Sequence, residues 1–475
     1  MSSLVNSGIE LIDRAFLVSS KQIKDLDITT VYPWFQVLSE SYPHLSRKFQ
    51  AVFVSRNSDN QPYLMIGLGS RMSIQILSSK SLLVIRIFIN EELISEHHEV
   101  IAKQEMPYLH TFQSLSRAFG LWKSKFSSEK ETLPFLGGWK CNLITDELNE
   151  IARFTLPELI IQGQDGVFDV FSLAGEPLNF PETDQYRSKQ EEWEALALEG
   201  SVSFVPQEKG YYEGFNLIQR QLESKKVDKV VLARKALVQL PDLNDSLPVI
   251  YKISKNNYQE YSYYFRWNEG EEWIGVSPEV LLVKENHKII TKPLAGTRKI
   301  SYGNKTEQQI IEELFMDQKE NTEHMHAVKM MMEDLQHLIK NGNLQMDETK
   351  CILKTPYAYH LKTQISAELK EDVRAFDVLS LIYPPATIWG VPREAIQPLL
   401  MQTEPFERSY YSGGLGYCRL NDDANFALAI RSASFADGQL NVYAGSGLVE
   451  TAAAELEWNE TLTKMTPFLN IINCP

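Results

Sequence analysis

Short runs rich in β-branched and aromatic residues, spaced by polar turns, dominate the first part of the chain. Residues 51–54, 63–67 and 82–89 have the length and composition of strands. Residues 159–161 and 167–171 flank Gly163-Gln164-Asp165-Gly166, a hairpin pattern. Pro134-Phe135-Leu136-Gly137-Gly138-Trp139, punctuated by glycine, reads as an edge or corner. Residues 175–192 are polar, carry Pro177 and Pro181, and read as a surface linker. Further on, 213–223 reads as a helix and 229–234 as an apolar strand that begins at Lys229. Residues 261–265 and 273–283 are the next strands. The second is broken by Ser277-Pro278-Glu279, and a proline inside a strand pattern marks an edge or bulge. The clearest helical stretch is 306–340, where Met325, Val328, Met332, Leu335 and Ile339 recur at helical spacing as a core-facing stripe. Asn341-Gly342-Asn343 is its expected stop. After the glycine-rich stretch 411–417 come strands at 426–432 and 439–443, the turn Ala444-Gly445-Ser446-Gly447, and a helix from about Ala452.

At 475 residues the chain exceeds one ordinary domain of about 150 residues. With 43% hydrophobic and 23% charged residues it has the balance of a globular protein with a large core. The formal charge of −15 argues against nucleic acid or an anionic membrane as partner. An anionic small substrate would need arginine, lysine or a metal to hold it. Cys141, Cys351, Cys418 and Cys474 are scattered without zinc-site spacing, which fits a reducing compartment. No signal-peptide pattern and no apolar run of membrane-spanning length stand out, so the expectation is a soluble, cytoplasmic protein.

Three constellations carry candidate chemistry. Glu320/Glu323 and Glu457/Glu460 are two pairs spaced by three residues, so each pair shares a helix face. Together they make an oxygen-only donor set suited to a hard cation such as Mg²⁺; either pair alone reads equally as a solvated helix face. Lys229 at the start of a buried strand can serve as a base, and Glu279 beside the proline bulge as an acid; taken alone, the two read rather as a snorkelling strand lysine and an exposed loop glutamate. Arg431 interrupts an apolar run and needs a carboxylate partner, from the protein or from a ligand. With Lys464 and the Gly445–Gly447 turn it could clamp a substrate carboxylate. His360, without a serine or cysteine motif beside it, reads as an orienting residue.

Taken together, the motifs resemble the chorismate-utilising enzymes: isochorismate, salicylate, anthranilate and aminodeoxychorismate synthases. DKVVLAR at 228–234, GVSPEVL at 275–281, PLAGTR at 293–298, KENTEH at 319–324, SGGLGY at 412–417, AIRSA at 429–433, AGSGLV at 444–449 and ELEWNET at 455–461 carry the resemblance. They span roughly 200–470, and PFLGGW extends the likeness into the first 200 residues. The resemblance implies an α+β fold with a large antiparallel β-sandwich core and helices packed outside. It divides the chain into an N-terminal α/β region at 1–195, part of the same globule, and a chorismate-binding region at 196–475. It also implies Mg²⁺ held most directly by Glu323 and Glu460, with Glu320 and Glu457 in support. Arg431, Lys464 and the Gly445 backbone would hold chorismate carboxylates. Gly296, His360, Thr387, Tyr411 and Ile430 would complete the substrate site.

Within the family, members resembling Lys229 use water as nucleophile and the lysine as base, with Glu279 matching the general acid on the opposite ring face. The resemblance therefore implies an isochorismate synthase, an isomerase that adds water at C2 and expels the C4 hydroxyl; salicylate synthase is the alternative, and a non-catalytic chorismate-binding relative a remote one. One departure stands out. Tyr383-Pro384-Pro385-Ala386-Thr387 replaces the His-Pro-Thr-Pro-Ala pattern of isochorismate synthases, and a hydroxyl at Thr387 is more familiar among lyase members. Arg393 after Pro392 and Ala233 before Arg234 lean back towards isochorismate synthase. The expected partner is chorismate alone, with no glutamine amidotransferase subunit, in a monomer or weak dimer.

Overall fold

The computed structural model describes residues 17–23, 26–56, 61–101, 107–123, 131–142, 145–172, 179–257, 260–267, 270–300 and 305–473. Two twelve-stranded antiparallel sheets dominate them. In the first sheet, Phe49–Arg56 pairs with Ser262–Trp267 in register Phe53↔Tyr263. In the second, Pro134–Trp139 pairs with Gly414–Arg419 in register Gly416↔Gly137. Strands from the early and late parts of the chain thus share both sheets, and each ladder depends on distant segments.

Between the sheets lies a core in which Phe53, Tyr263, Phe265 and Trp273 of the first sheet meet Leu136, Val280, Leu415 and Ala427 of the second. On the outer face of the second sheet, helices Pro107–Lys123, Gln318–Leu335 and Ala375–Ile382 cover a second core around Phe112, Trp122 and Trp139. On the outer face of the first, helices Val31–Ser41, Leu247–Asn257 and Ala454–Leu469 cover a third. The order is helices, sheet, sheet, helices: an α+β sandwich in which each sheet buries both faces.

Several local expectations change. The stretch 175–192 is not all linker: Thr183–Ala195 is a helix with a Glu182/Gln185 capping box, and it buries Tyr186 and Trp193, two turns apart. (Residues 173–178 lie outside the described set.) Pro134–Trp139 is an interior strand, because Gly414–Arg419 and Asn149–Leu156 flank it. The helical stretch 306–340 divides at Asp317, which is extended and caps the next helix by accepting from Glu320 N at 3.0 Å. That helix, Gln318–Leu335, ends before Asn341-Gly342-Asn343, which falls inside the strand Ile339–Lys354 at a register shift against Ala358–Leu369. Met325 of the proposed core stripe is exposed, while Val328 and Leu335 are buried. The Ala444–Gly447 turn is instead part of the strand Gln439–Leu448, paired throughout with Lys229–Gln239.

The second sheet is packed tightly at Gly414, where a Cβ would lie 2.2 Å from the Trp139 indole. Gly414→Ala should therefore cost about 1–3 kcal/mol through overpacking, read as a lower denaturation midpoint. Trp139→Phe in the same chain should recover part of the loss; a purely additive double variant would show that this contact is not the constraint.

Candidate active site

The cleft of interest is a narrow one, with a cavity volume of about 70 Å³. Its walls come from both sheets and from the helices that follow them. Glu279, Gly296, Glu323, His360, Thr387, Tyr411, Ile430, Arg431, Gly445, Glu460 and Lys464 line it. Lys229, Glu320 and Glu457 stand directly behind that lining.

Lys229 begins the strand Lys229–Gln239 and is wholly buried. Its ammonium lies 2.6 Å from Glu323 Oε1, an ion pair whose angle falls short of a hydrogen bond. Glycine at 447 makes the pair possible: a Cβ there would sit 2.3 Å from Glu323 Oε1 and 3.0 Å from Lys229 Cε. Here glycine supplies space within a strand, not a turn. Burial raises the proton affinity of the Glu323 carboxyl, but Lys229, Lys319 and Lys464 together outweigh it and hold the group below the usual range.

The other glutamates are also matched by lysines. Lys464 Nζ lies 2.7 Å from Glu460 and donates to Gly445 O at 2.8 Å. Lys319 donates to Glu457 at 2.9 Å and stands 3.9 Å from Glu320. Glu320 accepts from Thr297 N at 2.8 Å. Burial, then the charges of Glu323 and Glu460, push Glu320 up to about 7; burial and Glu460 do the same for Glu457. The carboxylates of the two pairs therefore feel one another, whereas the i, i+3 spacing implied only that each pair shares a face.

Among the described residues no three acidic, histidine or cysteine groups already converge in a coordination sphere. The donor chemistry nevertheless fits a hard divalent cation. Glu457 Oε2 is buried with no donor, and four carboxylates share three lysines, Lys229, Lys319 and Lys464.

Glu279 follows Pro278 where the ladder is broken by a bulge between Val280 and Leu282. Its carboxyl accepts from Thr387 Oγ1 at 2.9 Å. Burial pushes it up to about 8, against the opposing pull of Thr387, Leu294 N–H and the Lys229 and Lys464 charges. A carboxyl that keeps its proton near neutrality can act as a general acid.

Arg431 has φ of +51° between the strands Ala424–Leu428 and Ser432–Ala436, a costly conformation for a side-chain-bearing residue. The bend carries its guanidinium into the cleft. Among the described residues it finds no carboxylate: Nη2 donates to His360 Nε2 at 3.1 Å. Burial pulls Arg431 down to about 10, so a ligand carboxylate would complete its desolvated donor set. Because a guanidinium only donates, His360 Nε2 must accept, which leaves the proton on Nδ1, 3.2 Å from Thr297 Oγ1. Burial and the Arg431 charge hold His360 neutral, well below its ordinary range. The ring is thus held between the Arg431 guanidinium and the Thr297 hydroxyl.

Gly445 pairs with Ala233, but the Ala233 N–H goes to Glu404 Oε1 at 2.8 Å. The Gly445 backbone groups thus point away from that partner strand. Ser432–Ala436, the neighbour on the other edge, pairs only as far as Val442. On that side Gly445 therefore lies at an edge of the cleft with no strand partner among the described residues, where its carbonyl accepts from Lys464. Tyr411 stacks on Tyr443 at 5.3 Å beside it.

Lys319 and Thr297 stood inside quoted motifs but were assigned no task. Arg408 and Glu404 were missed altogether. Wholly buried, they pair at 2.6 Å, and Arg408 also donates to Val231 O and Ile388 O at 2.7 Å each. They join the lysine-bearing strand to the segment that carries Thr387. They lie past the end of the helix Arg393–Thr403, so no helical spacing announced them.

A sequence model of the family described as chorismate binding enzyme matches residues 57–470. Anthranilate synthase component 1 of Aquifex aeolicus is 31% identical over 224 residues, 47% of this chain and 45% of that one. This chain thus spans less than half the length of that relative. Among solved structures, the menaquinone-specific isochorismate synthase of Escherichia coli matches with a TM-score of 0.71 and 20% identity, over 99% of this chain and 100% of that chain. Anthranilate synthase component I of Streptococcus pneumoniae matches at 0.64 and 17% identity, over 88% and 92%. At these identities the structural likeness speaks for the fold.

Removing one partner of the Lys229–Glu323 pair strands a buried charge, so Lys229→Met should cost about 3–5 kcal/mol. The double variant with Glu323→Gln should recover most of that loss. Chemical denaturation of the four proteins measures the coupling, and independence of the two changes would refute it.

Proposed function

The chain belongs to the chorismate-binding enzyme family, and on that premise we propose that it converts chorismate to isochorismate. The observation that carries this reading is one cleft combining a buried Glu279, whose burial favours its protonated form, a buried Lys229 immediately behind the lining, and an Arg431 that meets no carboxylate among the described residues. In the proposed reaction Lys229, in its neutral amine form after its ammonium proton has passed to solvent, takes a proton from water as the water oxygen bonds to ring C2. The ring double bonds shift, the C4–oxygen bond breaks, and Glu279 gives its proton to the departing hydroxyl. Water enters and water leaves, and solvent returns the proton from lysine to glutamate. Arg431, aligned by neutral His360, grips a substrate carboxylate and reduces the orientations to be searched.

Mg²⁺ is the proposed cofactor, held by Glu323 and Glu460 with Glu320 and Glu457 behind them; when bound it would neutralise this acidic wall and receive the substrate's ring carboxylate. The orphaned Glu457 Oε2 supports that assignment. No amidotransferase subunit is proposed, since water needs only the lysine. A cytoplasmic location agrees with the lack, among the described residues, of any helix long and apolar enough to cross a membrane.

Chromatography of purified protein with chorismate and Mg²⁺ should show isochorismate as the main product. Stoichiometric salicylate and pyruvate would instead support the salicylate synthase alternative, and anthranilate formed only with ammonia would reject the water chemistry. Lys229→Ala and Glu279→Gln should each lower kcat by about 10²–10⁴-fold; parent-like turnover of either removes its assigned role.

Chelation supplies a separate test of the cation. EDTA should abolish turnover, and Mg²⁺ should restore it and raise the melting temperature of the substrate-free protein. Unchanged turnover in metal-free buffer would exclude the metal assignment.

A further inference from the structure

Thr387 carries no charge, yet its hydroxyl is directed at the carboxyl whose proton the proposed reaction uses. Oγ1 donates to Glu279 Oε1 at 2.9 Å. No other acceptor competes for that hydroxyl among the hydrogen bonds of the described residues. The segment that presents it is held from both ends. Arg393 donates to Pro384 O at 2.8 Å, Ile388 N donates to Pro385 O at 3.1 Å, and the buried Arg408 donates to Ile388 O at 2.7 Å. On the other side, Glu279 N donates to Ser277 Oγ at 3.2 Å, and Leu428 N donates to Glu279 O at 3.1 Å. Both ends of the contact therefore sit on constrained backbone, the condition for a hydroxyl to set a side chain's geometry.

We propose that Thr387 is a positioning residue for the Glu279 acid: its donated hydrogen bond makes Oε1 the accepting oxygen and confines the acidic proton to Oε2. This rests on the reading of Glu279 as the acid. Two consequences follow from the chemistry of a carboxyl. With Oε1 occupied, the proton cannot move between equivalent oxygens, so each turnover presents the same donor atom to the leaving hydroxyl. A hydrogen bond donated to the carboxylate also favours the ionised form, so the hydroxyl keeps a desolvated acid strong enough to release its proton.

The charged groups that face Glu279 are Lys229 from the strand Lys229–Gln239 and Lys464 from the helix Ala454–Leu469. The Leu294 N–H adds a neutral donor, and all three work in the same direction as Thr387. Removing the threonine hydroxyl takes away the largest of these opposing influences and leaves burial less opposed.

Infrared difference titration reads the Glu279 proton directly, through the carboxylic acid carbonyl band that Glu279→Gln lacks. In the parent protein the band should disappear with a midpoint at about 8. In Thr387→Val, nearly isosteric but without the hydroxyl, the midpoint should rise by about one pH unit, with kcat down about tenfold and KM within about twofold. Thr387→Ser, which keeps the hydroxyl and loses only the methyl, should return both values to the parent's. A Thr387→Val midpoint equal to the parent's, or a Thr387→Ser protein that behaves like Thr387→Val, would overturn the proposal. Parent-like turnover of Glu279→Gln would overturn the acid reading beneath it, and is distinguishable because the titration midpoints do not depend on turnover.

Discussion

Charge removed from water must be neutralised where it is buried, and this constraint shapes the whole site. Lys229 is wholly enclosed, and its ammonium meets Glu323 at 2.6 Å. Neither could occupy its position without the other. The pair needs a strand to hold the lysine, a helix to hold the glutamate, and a gap between them that only Gly447 leaves open. The remaining glutamates obey the same rule through Lys319 and Lys464. Lysines from a strand and two helices thus balance the acidic wall from within the protein.

Two devices keep the rest of the cleft in place around that pair. One is the Glu404–Arg408 clamp, whose bonds to Ala233 N, Val231 O and Ile388 O fasten the lysine-bearing strand to the segment carrying Thr387. The other is the stack of Arg234 on Trp458, with its guanidinium carbon 3.4 Å from the ring centroid. Arg234 also donates to Thr461 Oγ1 at 2.7 Å, so it grips the helix turn that carries Glu457 and Glu460. Acid, lysine and acidic wall are consequently referenced to one strand, Lys229–Gln239. Electrostatic preorganisation depends on such fixed distances more than on any single group.

Patterns within a few residues of one another were legible along the chain. Glu320/Glu323 and Glu457/Glu460 sit three apart on helices, and geometry alone puts each pair on one face. The proline at 278 announced a break in the ladder, and Arg431 in an apolar run announced a buried cation seeking a partner. Asp317 shows how a local signal can be passed over: an N-cap residue three before Glu320 divides what looked like one long helix, and it places Glu320 in the first turn of the second. The helix Thr183–Ala195 was obscured for a different reason. Its buried surface is confined to Tyr186 and Trp193, too sparse a stripe to stand out against its polar surroundings.

Residue types, their local spacing and the order of the motifs were determined by the sequence itself, because capping, helical periodicity and proline geometry act over a few bonds. The meeting of distant residues was decided only by the folded chain. Lys229 and Glu323 are brought together by the packing of a sheet against a helix, and Thr387 finds Glu279 across 108 residues. The same glycines at 445 and 447 that read as a turn became strand, because ten successive pairings with Lys229–Gln239 outweigh local flexibility. A proton on Glu279 near neutrality is likewise a tertiary property. It comes from burial, which no local pattern encodes, since the atoms that exclude water from that carboxyl are supplied by both sheets.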